Sequence, residues 1–209
     1  MNAVNLVKKI RFKMRYRLND AYNDKWILRH KLPHTAVVPV AQMKNDQPSK
    51  QFAQAFHTVW LRNMDRILKR LKDPVSDYAF MDVGCGRGIA TLYAATEYDF
   101  RKAEGFDFEE SLIDDANINK QASPSFKDVN FFVADASTYV LPEGRYLIFM
   151  FNPFDAPIMQ AFMVNNIDAL RRNKSAIAYA NYHQLDIIKS FEPAAVTMIE
   201  SYRCALITF

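Results

Sequence analysis

The sequence predicts an α/β fold: a doubly wound, mostly parallel, seven-stranded sheet with an antiparallel terminal hairpin, plus an N-terminal helical extension. Three observations predict it. From residue 75 onward, strand-like runs alternate with helical runs. A glycine-rich turn, GCGRG at 84–88, joins the first strand to the first of these helices. The chain then ends in two strand-like runs that are close enough to pair as a hairpin.

Composition is that of a folded domain, because half of the 209 residues are hydrophobic and 24% are charged. No apolar run approaches the roughly 18–20 residues that span a bilayer, and the densest, YLIFMF at 146–151, has the length of a buried strand. The basic N-terminus lacks the apolar core of a signal peptide. The two cysteines, Cys85 and Cys204, suggest neither a disulfide framework nor a metal site. We therefore expect a cytoplasmic protein that is not transmembrane and holds no metal.

The N-terminal segment differs from the rest of the chain in charge. Residues 1–31 carry nine Lys and Arg against two Asp, whereas the remaining residues carry 18 basic against 21 acidic side chains. Apolar residues recur at helical spacing between the basic ones: Leu6, Val7, Ile10, Met14 and Leu18. This pattern predicts a basic amphipathic helix. Its role stays open between packing on the domain, attachment to an anionic surface and recognition of an acidic partner protein.

The segment between this helix and the alternating pattern contains three prolines within 32–48, which indicates an extended connection. A single long helix is predicted over 49–72, followed by Pro74. We therefore divide the chain into an N-terminal extension, 1–74, and an α/β domain, 75–209.

The elements of the α/β domain follow from the alternation. Strands are predicted at 77–83, 103–108, 129–135, 146–151, 175–182, 194–202 and 203–209. Helices are predicted at 88–97, 109–121 and 156–172, with a short one near 183–190. Because ligands of such sheets bind at the carboxyl ends of the parallel strands, the residues that follow the first four strands are the candidates for a site.

The first of these strand ends carries the pattern Asp82-x-Gly84-x-Gly86-x-Gly88. A dinucleotide-binding loop needs its third glycine at the position of Ile89, and a phosphate loop needs Gly-Lys-Ser/Thr, so neither pattern is met. Glycine lets the backbone approach a ligand closely, and the amides that open the next helix favour an anion. An acidic residue followed by G-x-G-x-G resembles motif I of the class I S-adenosylmethionine (SAM)-dependent methyltransferases.

The resemblance covers residues 75–209 and implies this fold, a methyltransferase domain and SAM as cofactor. It implies that the acid ending the second strand binds the ribose hydroxyls, that the following Phe lies against the adenine, and that the third strand end reads the adenine. The implied cofactor-binding residues are Asp82, Gly84, Cys85, Gly86, Gly88, Asp107, Phe108, Asp135 and Ala136. Plain structural roles stay open, since the glycines can serve a tight turn and both Asp107 and Asp135 can cap.

The fourth strand is followed by Asn152-Pro153-Phe154, similar to the Asn-Pro-Pro-aromatic motif of methyltransferases that modify nitrogens. The second proline is absent. The shortened form loosely resembles a group of class I enzymes related to the non-SET lysine methyltransferases. The resemblance implies that these three residues are catalytic, with the Asn side chain and the next carbonyl accepting hydrogen bonds from the target nitrogen. They also suit a strand terminator, with Phe154 in the core.

We expect a SAM-dependent methyltransferase whose acceptor is a nitrogen of a protein lysine or of a small molecule. His183, Tyr182 and Asp155 are further candidates for the same cleft. The alternative is a non-catalytic SAM-binding module or partner subunit, while Ile89 disfavours a nicotinamide oxidoreductase. The expected partners are the methyl acceptor and, for the basic N-terminus, an anionic surface or acidic protein. No strong nucleic-acid signature is present.

Overall fold

The computed structural model describes residues 3–44, 48–54, 59–126 and 128–209. Its seven strands are β1 Ala79–Val83, β2 Ala103–Asp107, β3 Val129–Val133, β4 Tyr146–Phe151, β5 Ala176–Ala180, β6 Ala195–Ile199 and β7 Cys204–Thr208. They form one sheet in the order β3-β2-β1-β4-β5-β7-β6. Strands β1 to β5 pair in parallel, whereas β7 is antiparallel to both β5 and β6. The predicted mostly parallel sheet with its terminal hairpin is thereby confirmed.

Helices cover both faces of the sheet. They are α1 Ala3–His30, α2 Leu61–Leu68, α3 Ile89–Glu97, α4 Glu110–Gln121, α5 Ala156–Arg172 and α6 Leu185–Lys189. Short 3₁₀ turns lie at Val40–Gln42, Pro48–Phe52, Val75–Asp77, Pro124–Phe126 and Glu200–Tyr202. Helices α1 to α4 pack on one face, and α5 and α6 pack on the other. Among the described residues, no helix combines the length and the apolar character needed to cross a membrane.

The core consists of two apolar clusters, one on each face of the sheet. Strand β4 contributes to both, with Leu147 and Phe149 in the cluster under α1 to α4 and Ile148 and Met150 in the cluster under α5 and α6. A central parallel strand that is covered on both sides is apolar at every position. This explains why YLIFMF is a continuous apolar run and does not alternate between apolar and polar residues.

The prediction of one helix over 49–72 is wrong. Only Leu61–Leu68 is α-helical, Pro48–Phe52 is a 3₁₀ turn, and residues 55–58 lie outside the described part of the chain. Ala53 instead forms an antiparallel bridge with Phe154. This pairing uses the backbone groups that a helix would need, so tertiary contacts override a helical spacing of apolar residues.

Helix α1 forms as predicted, but Met14 and Leu18 of the predicted apolar stripe do not lie on its packed face. Met14 and Leu18 are each 57% exposed, and the other three stripe residues fall outside the described side chains. The buried face contains Asn19, Asn23 and Trp26. The Asn23 side chain donates to the Val59 carbonyl at 2.7 Å and accepts from the Leu61 amide at 3.0 Å. Helix α1 therefore packs on the domain through amide hydrogen bonds, which hydrophobic periodicity does not report.

Candidate active site

A cleft lies at the carboxyl ends of β1 and β4, where the strand order reverses, and includes about 870 Å³ of space that is partly open to solvent. This is the position at which open α/β sheets bind ligands. Ten of the twelve predicted site residues line it: Asp82, Gly84, Cys85, Asp107, Phe108, Asp135, Ala136, Asn152, Pro153 and Phe154. The remaining two, Gly86 and Gly88, are buried and do not line the cleft.

The amides of the glycine loop are used within the protein. The Gly84 and Cys85 amides both donate to the Phe106 carbonyl, at 3.0 and 2.9 Å, and the Gly88 amide donates to the Cys85 carbonyl at 2.9 Å. The amides available to a ligand are therefore those that open α3, because the first amides of a helix have no acceptor within it. Ile89 and Ala90, the first two residues of α3, both line the cleft.

Two of the glycines are required by close packing. A Cβ on Gly84, whose φ is +73°, would lie 2.4 Å from the Pro153 Cβ, and a Cβ on Gly88 would lie 2.4 Å from the Phe131 ring. The loop after β1 therefore touches the loop after β4 directly. Cys85 is buried beside them, and burial raises the pKa of its thiol well above the ordinary value.

Two buried carboxylates face the cleft. The Asp82 Oδ2 accepts from the Thr91 hydroxyl at 2.7 Å, and the Asp107 oxygens accept from the amides of Gly86 at 2.9 Å and Glu109 at 3.1 Å. Burial raises the pKa of Asp82 to about 7 and that of Asp107 to about 6. Neither carboxylate forms an ion pair with a basic side chain of the described residues. The cleft thus contains two buried acidic groups without a basic partner among the described residues, and a bound cation would stabilise their ionised forms.

The end of β3 contributes Asp135 and Ala136. The Asp135 Oδ1 accepts hydrogen bonds from the amide and the hydroxyl of Ser137, at 2.8 and 2.7 Å, so this side chain caps the following turn. Capping and ligand contact are compatible here, because the same residue also lines the cleft. The role of Asp135 toward an adenine stays a prediction.

At the end of β4, Asn152 has a left-handed backbone with φ +42°. Its Oδ1 lies 3.5 Å from the hydroxyl of Tyr179, a buried residue of β5. That hydroxyl accepts from the backbone amides of His183 at 3.4 Å and Gln184 at 3.2 Å. Since both amides occupy the lone pairs, the hydroxyl proton is directed to Asn152. At 3.5 Å the contact is long for an O–H···O hydrogen bond, so the orientation of the Asn152 amide oxygen by Tyr179 is a prediction.

Residues before α2 close the end of the cleft that lies beside β4, and sequence analysis missed them. The Gln54 amide donates to the Pro153 carbonyl at 3.2 Å, and its side chain donates to the Asp155 Oδ1 at 2.8 Å. The Phe52 carbonyl accepts from the Asp155 amide at 2.9 Å. Gln54 lines the cleft together with Met43 and Ala53. No motif marks this segment, because its placement depends on pairing with a loop 100 residues away in the chain.

The further candidates are placed differently. Asp155 begins α5 and is held by Gln54, as above. His183 is exposed, and neither it nor Tyr182 lines the cleft as the described residues form it. Phe154 is 6% exposed and belongs to the core under α5, although it also lines the cleft. Its two expected roles, core residue and wall of the site, thus coincide.

Residues 80–174, somewhat under half of the chain, match the family model described as a methyltransferase domain. No curated protein matches the chain. The first solved structures that match are two pieces of StiE O-MT, each 21% identical over 57% of this chain with a TM-score of 0.46. The chain spans only 42% and 43% of their lengths.

Two further solved structures are similar over most of their lengths. A putative SAM-dependent methyltransferase from Methanococcus maripaludis is 12% identical, with a TM-score of 0.55, over 71% of this chain and 83% of its own. A ribosomal protein L11 methylase from Lactobacillus delbrueckii subsp. bulgaricus is 17% identical, with a TM-score of 0.53, over 82% and 96%. At these identities the likeness shows the fold.

The class follows from these findings. Residues 80–174 match a methyltransferase domain, and the strand order and the cleft at the β1–β4 reversal agree with that class. SAM is accordingly the cofactor of this domain, and the buried carboxylates of the cleft suit its positive charge. The likeness to the lysine methyltransferase-related group stays a prediction.

Proposed function

We propose that this protein transfers the methyl group of SAM to a nitrogen atom of an acceptor, either a protein lysine or a small molecule. One observation supports this most directly. A single cleft has buried carboxylates without a cation at one end, Asp82 and Asp107, and an amide oxygen at the other, on Asn152. The first end suits a cationic cofactor, and the second suits a nitrogen that carries a proton.

At the cofactor end, the charges decide the fit. SAM has an ammonium and a sulfonium group, and when bound it supplies an electrophilic methyl group. A cation in the cleft would stabilise the ionised forms of Asp82 and Asp107, whose pKa values burial raises. Asp107 keeps lone pairs for the ribose hydroxyls beyond those that accept from Gly86 and Glu109. Such charge-assisted hydrogen bonds are worth about 1.5–3 kcal/mol each.

At the acceptor end, Asn152 and Pro153 orient the nitrogen. The amide oxygen that Tyr179 is predicted to orient would accept an N–H of the acceptor, which turns the nitrogen lone pair toward the cofactor end. The Pro153 carbonyl accepts from the Gln54 amide and has a second lone pair. Holding the reactants in this geometry supplies much of the acceleration of an in-line displacement.

A specific observation favours the alternative, a SAM-binding module without catalysis. The segment 48–54 lies against the loop 152–155 through three hydrogen bonds, so the acceptor end is covered by the chain itself. In a binding module this cover would be permanent. In an enzyme, the segment would instead form one wall of the acceptor site.

Two measurements test the proposal in sequence. Calorimetric titration with S-adenosylhomocysteine, the demethylated product, should show micromolar binding. Labelled SAM should then transfer its methyl group to a component of a cell extract. Asn152→Ala should keep the affinity for S-adenosylhomocysteine and lose most of the transfer, whereas the exposed Asn130→Ala should change neither. Binding without transfer by the wild type would favour the binding module, and absence of binding would contradict both functions.

A further inference from the structure

A second cavity lies beside the cleft, at the carboxyl ends of β4 and β5. It encloses about 750 Å³ including space open to solvent. Its lining residues come from α1, the start of α2, the two strand ends and the turn between β6 and β7: Arg15, Trp60, Asn63, Phe151, Asn181, Ser201, Tyr202 and Arg203. Phe151 lines both cavities and immediately precedes Asn152. The cavity therefore adjoins the acceptor end of the cleft.

Three arginines surround this cavity. The Arg66 and Arg15 guanidinium carbons lie 3.8 and 4.6 Å from the centre of the same Tyr202 ring. Arg203 follows Tyr202 in the chain and lines the cavity itself. Positive charges that are grouped around one cavity repel one another. Such a cluster is stabilised when an anion binds between its members.

The protein itself supplies no such anion among the described residues. Arg15 donates to the Ser201 carbonyl and Arg203 donates to the Tyr182 carbonyl. Arg66 donates to the side-chain oxygens of two asparagines, Asn19 and Asn63. All of these acceptors are uncharged, and no carboxylate of the described residues forms an ion pair with any of the three arginines.

Other arginines of the same protein are compensated. Arg87 pairs with Asp115 at 2.8 Å, Arg145 pairs with Asp73, and Arg172 pairs with Glu143 at 2.6 Å. Other arginines, such as Arg101 and Arg171, donate to backbone carbonyls and form no ion pair among the described residues. What distinguishes Arg15, Arg66 and Arg203 is that they are grouped around one cavity.

We propose that this cavity, here called the arginine pocket, binds an anionic group of the methyl acceptor, either a phosphate or a carboxylate. Planar guanidinium groups match the geometry of both oxyanions. The rings of Trp60, Tyr202 and Phe151 form apolar walls for the body of the same molecule. A concave site that combines charged groups with aromatic walls suits a small molecule. The inference rests on the proposed function, and within it favours a small anionic acceptor over a protein lysine.

The test uses the full chain saturated with S-adenosylhomocysteine and three small aromatic probes. Phenyl phosphate and benzoate carry the two oxyanions, and benzyl alcohol is the uncharged analogue. We expect saturable binding of at least one anion in calorimetry and no binding of benzyl alcohol. The anion that binds more tightly identifies the phosphate or the carboxylate as the group that the pocket recognises. Binding of neither anion, or equal binding of all three probes, would overturn the inference.

Matched variants locate the binding. Arg203→Gln and Arg15→Gln should each weaken the preferred anion at least tenfold. Arg171→Gln should leave it unchanged, because Arg171 also donates to a backbone carbonyl but lies on α5, on the other face of the sheet. Unchanged affinity in Arg203→Gln would overturn the assignment. Arg203 is exposed, so the Arg203→Gln variant is expected to fold even if the Arg15→Gln variant does not.

The same titrations separate this inference from the function on which it rests. Affinity for S-adenosylhomocysteine is measured on every variant and should not change. If the wild type binds S-adenosylhomocysteine but neither anion, the arginine pocket is wrong and the proposed function stands. If it binds phenyl phosphate but not S-adenosylhomocysteine, the pocket is supported as an anion site and the proposed function is contradicted.

Discussion

Two adjacent cavities on one edge of the sheet have opposite charge. The cleft at β1 and β4 contains the buried carboxylates of Asp82 and Asp107 without a basic partner, whereas the arginine pocket beside it contains basic groups without an acidic partner among the described residues. Phe151 separates them. Each cavity lacks the charge that its proposed ligand would bring, so the pair suits a cationic cofactor beside an anionic acceptor.

The two cavities also differ in how the chain builds them. The cleft comes from the ends of consecutive strands, each of which carries its own residue at a fixed place after an apolar run. The arginine pocket combines α1, α2 and the β6–β7 turn, which are far apart in the sequence. Only the first kind of site has a spacing that can be recognised in a sequence.

The greatest loss of cofactor affinity should follow from removing a carboxylate of the cleft. Asp107→Ala should weaken binding of S-adenosylhomocysteine by roughly 10- to 100-fold, or about 1.4–2.7 kcal/mol, because the ribose hydroxyls lose a carboxylate acceptor. Calorimetric titration measures the change. The control is Asp114→Ala, an exposed carboxylate on α4, which should leave the affinity as it is. Equal affinity in Asp107→Ala and the wild type would remove Asp107 from the cofactor site.

The pH dependence of the affinity for the cofactor tests the role of the carboxylates in the cleft. Burial raises the pKa of Asp82 to about 7 and that of Asp107 to about 6, so both carboxyls take up protons in the mildly acidic range. A cationic ligand prefers the ionised forms. Affinity for SAM should therefore fall at least tenfold from pH 7.5 to pH 5.5, with release of protons on binding at the lower pH. Affinity that stays flat over this range would contradict the electrostatic account.

The stability of the ligand-free protein should have the opposite pH dependence. The folded pKa values lie above the ordinary value of 3.8, so the folded state binds more protons than the unfolded state between these limits. The stabilising contribution is complete below pH 3.8 and is lost as the pH rises through 6 and 7. Denaturant titrations of the wild type and of Asp82→Asn, whose side chain does not ionise, should diverge over this range.

The sequence predicts most of the sheet and little of what surrounds its edge. Helix α5 begins and ends where it is predicted, at 156 and 172, because its amphipathic pattern is a local signal. The helix predicted over 49–72 fails because Ala53 and Gln54 pair with a distant loop. Hydrophobic spacing also selects Met14 and Leu18 on α1, which are exposed, whereas the buried face combines Trp26 with asparagine side chains that form hydrogen bonds. Long-range polar contacts leave no periodic trace.

A smaller loss, in the rate of methyl transfer, is expected from a change at the boundary between the two cavities. Tyr179→Phe keeps the packing of the ring but removes the hydroxyl that is predicted to orient Asn152 and that accepts from the amides of His183 and Gln184. Methyl transfer should fall about tenfold because the acceptor is less well oriented, while the affinity for S-adenosylhomocysteine stays the same. Tyr78→Phe is the matched control, because it also loses a hydrogen bond, to Asp73, but at the opposite edge of the sheet.

A double variant decides whether the hydroxyl acts through Asn152. If Tyr179 only positions that amide, adding Tyr179→Phe to Asn152→Ala should lower the transfer rate little further, since both changes remove one interaction. Losses that multiply would show that the hydroxyl acts on the acceptor independently. A fall in thermal stability with unchanged transfer would instead assign the hydroxyl to the turn at 183–184 alone, and the boundary between the cavities would then depend on Phe151.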